Sequence, residues 1–232
     1  FDLETLRLTI AKPGSLQDRT QVKPDRNNIA PRIGFAWSGL AKTVIRGGYG
    51  VSYIHYFRRG GTMSVYNAPL VVRAGIDQIP GQPGFRTTTE GYPNGFTAQG
   101  QFDPLRTTIL YFDRSGVTPY VQNWTFSIQR QLPMGWSTDL AYVGNRGLKY
   151  PAGGDMNHAN PNQAGQNVAV QLRRPLQGFA RIEVNLPIGV SEHHALQSKL
   201  ERRFSRGLTV LNAFTWSNTM DNYCGFMETP NN

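Results

Sequence analysis

Residues 123–142 read NWTFSIQRQLPMGWSTDLAY, and this stretch decides the fold. Before the turn at Pro133-Met134-Gly135, Trp124, Phe126 and Ile128 alternate with polar residues. After the turn the apolar residues again occupy every second position; they are Trp136, Leu140 and Tyr142, with Thr138 in the same phase. A period of two places alternate side chains on opposite faces of a β-strand. The stretch therefore predicts an antiparallel hairpin with one apolar face and one polar face.

Two more hairpins follow the same design, one on each side of this stretch in the sequence. The first turns at residues 38–41 and the last at Ser205-Arg206-Gly207. The six predicted strands lie near residues 30–38, 42–55, 119–132, 136–148, 193–204 and 207–219. Long connections rich in Gly, Pro, Asn and Gln separate the hairpins at 56–118 and 149–190, and short strands within them are candidates at 107–112 and 181–186.

The alternation of short turns with long connections predicts that all short turns lie at one end of the sheet. Short turns at one end and long loops at the other are typical of outer-membrane β-barrels. We therefore predict an all-β fold: an antiparallel up-and-down meander of transmembrane hairpins, forming part of an outer-membrane barrel. A soluble β-sandwich also alternates and stays open as a second interpretation. However, a sandwich rarely needs two such long loops at the same end.

Composition restricts the function classes. The 25 Gly and 15 Pro suit many strands joined by irregular loops. The formal charge of +9 raises the possibility of nucleic-acid binding, but the basic residues are scattered and form no nucleic-acid-binding motif. A scattered basic surface is usually just solvated. If the excess charge has a purpose, contact with anionic lipid phosphates explains it better than nucleic acid does. A lone cysteine, Cys224, allows no internal disulfide and no cysteine metal site.

Three patterns could hide chemistry, and each is better explained as structure. His193 and His194 are adjacent on a predicted strand, so they point to opposite faces and cannot readily share a metal ion. Asp155 and His158 lie in a glycine-rich segment but have no third ligand nearby in the sequence. The glycines of residues 47–50 lack the Lys-Ser/Thr of a phosphate loop. We predict no catalytic residue, no cofactor and no metal, and hence a protein that is not an enzyme.

Several segments resemble a known family when they are taken in order. They read NNIAPRIGFAW (27–37), KTVIRGGYG (42–50), PYVQNW (119–124), AYVGNRG (141–147) and HALQSKLERRFS (194–205), followed by FTWS (214–217). This series resembles the TonB-dependent receptors of the large, Oar-like type that is common in acidobacteria and related groups. The long loops between the segments match that family only in character.

The resemblance implies a 22-stranded outer-membrane barrel with an N-terminal plug, energised through the TonB complex, that imports or exports substrates. Within it we interpret residues 1–232 as an internal fragment of the barrel domain without the plug. Six strands cannot close alone, because the smallest membrane barrels have about eight. The implied partners are the rest of the barrel and plug, outer-membrane lipid, the TonB complex through a region outside this fragment, and an unknown extracellular ligand. No nucleic acid is expected.

Alternation assigns residues to the two sides of the predicted barrel wall. The candidates for the lumen are Arg46, Gln129, Asp139, Lys199, Glu201 and Arg203. The candidates for the lipid face and its aromatic girdles are Trp37, Tyr49, Tyr53, Trp124, Phe126, Trp136, Tyr142, Phe204, Phe214 and Trp216. Ligand contact is predicted for the loops containing Tyr66 to Phe102 and Asp155 to Arg174. A soluble or surface-displayed β-rich adhesion or binding module stays open as an alternative function.

Overall fold

The computed structural model describes residues 1–54, 71, 87–89, 103–105, 107–165, 167–205 and 207–222, apart from the side chains of residues 112 and 203–205. In this part of the chain a short helix precedes seven strands. The elements are α1 (Leu16–Thr20), β1 (Arg32–Trp37), β2 (Thr43–Tyr53), β3 (Ile109–Phe112), β4 (Tyr120–Gln131), β5 (Trp136–Asp155), β6 (Ile182–Ser205) and β7 (Leu208–Asp221). Two short 3₁₀ turns lie at Pro133–Gly135 and Val170–Arg173.

The seven described strands form a single open sheet in the order β1-β2-β4-β5-β6. Each neighbouring pair in this order is antiparallel, which confirms the predicted all-β meander. The far edge of β6 is shared: β7 pairs antiparallel with residues 191–205, and β3 pairs parallel with Ile182–Asn185. The parallel strand departs from the purely antiparallel prediction. Between β3 and β6 the chain runs through β4 and β5, so this parallel pair joins segments that are distant in the sequence.

The three short connections lie at one end of the sheet, and we call this the turn end. They span residues 38–42, 132–135 and 206–207. In the central one, Met134 and Gly135 adopt φ values of 57° and 77°, so two successive residues in the left-handed region reverse the chain. The backbone N–H of Leu132 then donates to the carbonyl of Trp136 at 2.8 Å. The long connections therefore lie at the opposite end, which we call the loop end.

The predicted loop at 149–190 was too long. β5 continues to Asp155 and β6 begins at Ile182, so the connection between these strands covers only residues 156–181. Pro151 and Pro187 caused the error, because proline usually interrupts a β-ladder. Here Pro151 lies at a shift in the β5–β6 register and Pro187 lies close to it, where the ladder is already irregular. The strand at 42–55 also ends earlier, at Tyr53, and His55 lies outside the described residues.

The main buried cluster lies at the loop end of the sheet, where β3 pairs with the start of β6. Ile109, Ile182 and Val184 are buried there. The half-buried side chains packed around them are Phe1, Tyr111, Leu176, Phe179 and Leu186. We call these eight residues the loop-end core. It joins the two long connections to the N-terminal segment, because Phe1 and Phe179 meet edge to face with ring centroids 5.6 Å apart.

Among the described residues, none of the helices has the length and apolar character needed to cross a membrane.

The close packing of Trp124 on Gly144 inside the sheet leads to a testable prediction. An ideal Cβ at Gly144 would lie 2.4 Å from Cε2 of Trp124, because the indole packs across the glycine. We expect Gly144→Ala to displace the indole and to lower the free energy of unfolding by about 1–3 kcal/mol, the usual effect of overpacking. Tryptophan fluorescence and urea unfolding in lipid vesicles would measure both effects.

Gly48→Ala is the matched control for this prediction. The nearest atom to an ideal Cβ at Gly48, Cγ2 of Thr125, lies 3.5 Å away, which is ordinary van der Waals contact. Equal destabilisation by the two substitutions would contradict the packing of Trp124 on Gly144.

Candidate functional site

Two chemically different faces of the sheet are the first functional feature. Directly paired residues of antiparallel strands share a face, so the strand register defines each row of side chains. One central row contains Phe126, Tyr142, Leu196 and Trp216, and the next contains Ile128, Leu140, Ser198 and Phe214. We call this side the apolar face.

The register places nine of the ten predicted lipid-side residues on the apolar face. They are Trp37, Tyr49, Tyr53, Trp124, Phe126, Trp136, Tyr142, Phe214 and Trp216. The side chain of Phe204 lies outside the description. Trp216 is 68% exposed and Phe214 is 59% exposed. A soluble protein rarely leaves so many adjoining large apolar side chains uncovered, and such a surface is typical of contact with lipid or another protein.

Polar side chains bound the apolar face at both ends. At the turn end, the Arg202 guanidinium lies over the Trp136 ring, 5.7 Å from its centroid. Towards the loop end, Arg146 Nε contacts Glu192 Oε1 at 2.9 Å. Between these boundaries the apolar-face positions of β5 and β6 carry no Asp, Glu, Lys or Arg.

The distance between the two boundaries matches a membrane. From Trp136 to Arg146 the strand rises about 33 Å at ~3.3 Å per residue, and a tilt of about 40° reduces this to a height of about 25 Å. The apolar band of outer-membrane barrels is also about 25 Å tall.

The opposite face is polar and contains the predicted lumen residues whose side chains are described. Gln129, Asp139 and Lys199 lie directly opposite one another on β4, β5 and β6. Lys199 Nζ also contacts Glu201 Oε2 at 2.9 Å. Arg46 shares this face in the row with Ser127. Arg203 belongs to β6, but its side chain lies outside the description.

The two adjacent histidines point to opposite faces and have separate partners. Nδ1 of His193 hydrogen-bonds the hydroxyl of Thr219 at 2.7 Å on the polar face. Nδ1 of His194 hydrogen-bonds the hydroxyl of Tyr142 at 2.7 Å on the apolar face. In the described ranges no three His, Cys, Asp or Glu side chains converge as they would to hold a metal ion.

Asp155 is part of the structural framework of the loop end. Its Oδ1 accepts the backbone N–H groups of Asn157 at 2.9 Å and Ile182 at 3.1 Å. Its Oδ2 lies 3.4 Å from Nη1 of Arg174 and 3.9 Å from Nε of Arg181. The side chain of Asp155 is 7% exposed, so these partners compensate a charge largely removed from water. His158, its predicted companion, is exposed, and only its backbone N–H bonds to Asp155, through the carbonyl.

Arg114 was missed by sequence reasoning and joins the N-terminal segment to the connection before β4. Its Nε donates to the Gln21 carbonyl at 3.0 Å, Nη2 to Gln21 Oε1 at 2.9 Å and Nη1 to Asp2 Oδ2 at 3.2 Å. Hydrogen bonds from the backbone and hydroxyl of Thr5 hold the pKa of Asp2 below its ordinary value. No local pattern distinguishes this arginine, because its partners are distant in the sequence.

A cleft of about 590 Å³ opens beside Arg114 at the loop end. The segment 23–28 forms one wall and residues 115–118 another, while Tyr53, Tyr120 and Lys149 contribute from the strands. Of its residues, only Tyr53 was predicted as a site residue, as part of an aromatic girdle. Pro151, two residues after Lys149, was the available signal for an irregular strand here.

Comparison with known proteins agrees with this geometry. The chain belongs to the family described as outer membrane beta barrel domain, which it matches over residues 1–232. It is therefore part of a β-barrel of the bacterial outer membrane, as predicted. The search of curated proteins found no match.

Among solved structures, the chain is similar to the outer membrane transporter YddB from Escherichia coli. The two share 13% sequence identity with a TM-score of 0.49, and the match covers 84% of this chain and 20% of the transporter. The chain thus spans about a fifth of that protein's length.

Proposed function

We propose that this chain is a wall segment of an outer-membrane TonB-dependent receptor of the Oar-like type, and that it takes part in transport without enzymatic chemistry. The observation that carries the proposal is the apolar face. Its two polar boundaries, Trp136–Arg202 and Arg146–Glu192, are as far apart as the apolar band of a membrane is tall. The sequence segments between residues 27 and 217 that resemble those receptors support the receptor type. Within the described residues, no strand pairs with the outer edge of β1 or of β7. Neighbouring strands of the same barrel would complete these edges, since lipid tolerates no open sheet edge.

In this proposal the apolar face meets lipid and the polar face lines the lumen. Gln129, Asp139, Lys199 and Glu201 then form a hydrated strip near the periplasmic turns, where a plug would lie. The long loops would meet an extracellular ligand. Most of the predicted contact region 66–102 lies outside the described residues. In the second region, residues 155–174, Asn157 is buried and donates hydrogen bonds to the carbonyls of Leu176 and Phe179, which belong to the loop-end core.

The orientation can be tested by cysteine accessibility in whole cells. In a Cys224→Ser background of the natural-length protein, we expect Ser127→Cys on the polar face to react with a small water-soluble thiol reagent. Phe126→Cys on the apolar face should instead react with a lipid-soluble one. These residues are adjacent, so they differ in face but hardly in depth. The reverse labelling pattern would refute the orientation.

Receptor function needs a separate experiment that does not depend on knowing the ligand. Medium consumption is compared by mass spectrometry for wild-type cells, cells without this gene and cells without TonB. We expect the same compound to remain in the medium of both mutant cultures, because both would lack energised uptake. A compound consumed normally without TonB but not without the gene would contradict the TonB-dependent class. Unchanged consumption by the gene-deleted cells would contradict uptake altogether.

A further inference from the structure

We infer that the cleft at the loop end binds the phosphate-bearing headgroup of an outer-leaflet lipid. This inference rests on the proposed orientation, in which the apolar face meets lipid. It concerns residues that lie just beyond the loop-end boundary of that face. Neither the family nor the proposed transport function requires a binding site at these residues.

Lys149 reaches the cleft through a local break in the strand. Leu148 pairs with Val190 and Tyr150 with Gly189, so Lys149 has no partner in the β6 ladder. Its φ of 60° is rare for a residue with a side chain. Simple alternation would place Lys149 on the polar face, yet its Nζ lies 5.6 Å from the ring centre of Tyr120 on the apolar side. Bulges commonly redirect a side chain in this way.

The cleft combines cations with an aromatic floor. Lys23, Arg26 and Lys149 line it and are exposed, while Asp25 is the carboxylate among its lining residues. Asp25 Oδ2 already accepts the backbone N–H of Thr118 at 2.8 Å. In the described ranges none of the three cations forms an ion pair.

The carboxylate of Asp25 serves the structure of the wall. Burial opposes its ionisation, but hydrogen bonds from Thr118, Asn28 and Asn27 outweigh that effect and lower its pKa. Asp25 therefore stays ionised, and the lining carries the positive charges of Lys23, Arg26 and Lys149 against this one negative charge. The excess is positive, which suits a phosphate group with several acceptor oxygens.

The position of the cleft identifies the source of the anion. Tyr53, Tyr120 and Leu148 form the row directly beyond Gln122 and Arg146 on the apolar face. That row is about 7 Å further along the strands than the polar boundary, at the level of lipid headgroups. The rings of Tyr53 and Tyr120 lie 5.8 Å apart, and tyrosines at this level are typical of a membrane interface. A phosphorylated glycolipid of the outer leaflet would place its phosphate at this height.

The test measures lipid binding by native mass spectrometry on the natural-length protein, purified in detergent from outer membranes. The probes are bisphosphorylated lipid A, the same lipid with its phosphates removed, and glucose 1-phosphate. We expect Lys149→Gln and Arg26→Gln each to weaken lipid A binding about ten-fold, the effect of losing one charge-assisted contact.

Lys12→Gln is the control, because Lys12 is exposed on the same N-terminal segment but does not line the cleft. The dephosphorylated lipid should bind the wild type at least as weakly as lipid A binds the variants, because it loses the contacts to all three cations.

Three results would overturn the inference. Lipid A binding could be unchanged in both cleft variants, it could fall equally with Lys12→Gln, or glucose 1-phosphate could displace it at equal concentration. Arg26→Gln lies in a connecting segment, so its result does not depend on the unusual backbone at Lys149. Cross-linking with a photoreactive lipid separates the failure of this inference from the failure of the proposed orientation. If the lipid cross-links at Phe126 but the cleft variants bind lipid A as well as the wild type does, only the cleft inference is refuted. If it cross-links at Ser127 instead, the orientation is refuted.

Discussion

Phe126→Lys is expected to prevent stable insertion of this barrel wall into lipid. Phe126 lies in the central row of the apolar face, between Gly47 and Tyr142 in the register, and is 45% exposed. A lysine at the midplane of a barrel's lipid face costs about 2–4 kcal/mol, and the apolar surface of the phenyl ring is lost as well. We expect a much smaller folded fraction in cold SDS gels and a lower urea midpoint in vesicles.

Ser127→Lys is the control for this substitution. Ser127 is the next residue of β4 and lies on the polar face opposite Arg46 and Ala141. A lysine there should be hydrated in the lumen, so folding should change by less than about 0.5 kcal/mol. If Ser127→Lys is the more damaging of the two, the faces have been assigned the wrong way round.

Asn157→Ala is expected to loosen the loop end without disturbing the sheet. Asn157 is completely buried. Its Nδ2 donates to the carbonyls of Leu176 and Phe179, both at 2.9 Å, and of Ala180 at 2.7 Å, while its Oδ1 accepts the Leu176 N–H at 2.8 Å. Alanine removes all four of these bonds. The Leu176 carbonyl keeps the N–H of Phe179 and the Phe179 carbonyl keeps Nε2 of Gln171, so the main loss is at the Ala180 carbonyl and the Leu176 N–H, at a cost of about 3 kcal/mol. Hydrogen exchange should accelerate in residues 176–182 and stay slow at the centres of β4 and β5.

Asn157→Asp separates hydrogen bonding from shape. A carboxylate has nearly the same size but cannot donate to the three carbonyls, so we expect at least as large an effect as with alanine. Asn160→Asp, at an exposed asparagine of the same connection, should leave exchange unchanged. Slow exchange in Asn157→Asp would mean that the side-chain amide does not hold residues 176–180 in place.

Much of the sheet could be predicted because it depends on a local rule. Alternation along each strand assigned the apolar face, and tight turns such as Pro133–Gly135 set the pairing of β4 with β5. The same rule failed between Leu148 and Gly189, where proline residues suggested a loop although the strands continue. It also missed Asn157 and Arg114, whose partners are separated from them by 19 to 112 positions in the chain.

The sequence by itself therefore determined that this is a β-protein with one apolar face and one polar face, since a period of two is a property of every extended strand. Only the tertiary structure decided how the loop end is built. There Ile109, Ile182 and Val184 are buried against the N-terminal segment. Lys149 has no partner in the β6 ladder and therefore turns towards Tyr120. These contacts depend on how distant segments meet in space and on one break in the ladder, and neither follows from the order of residues along a strand.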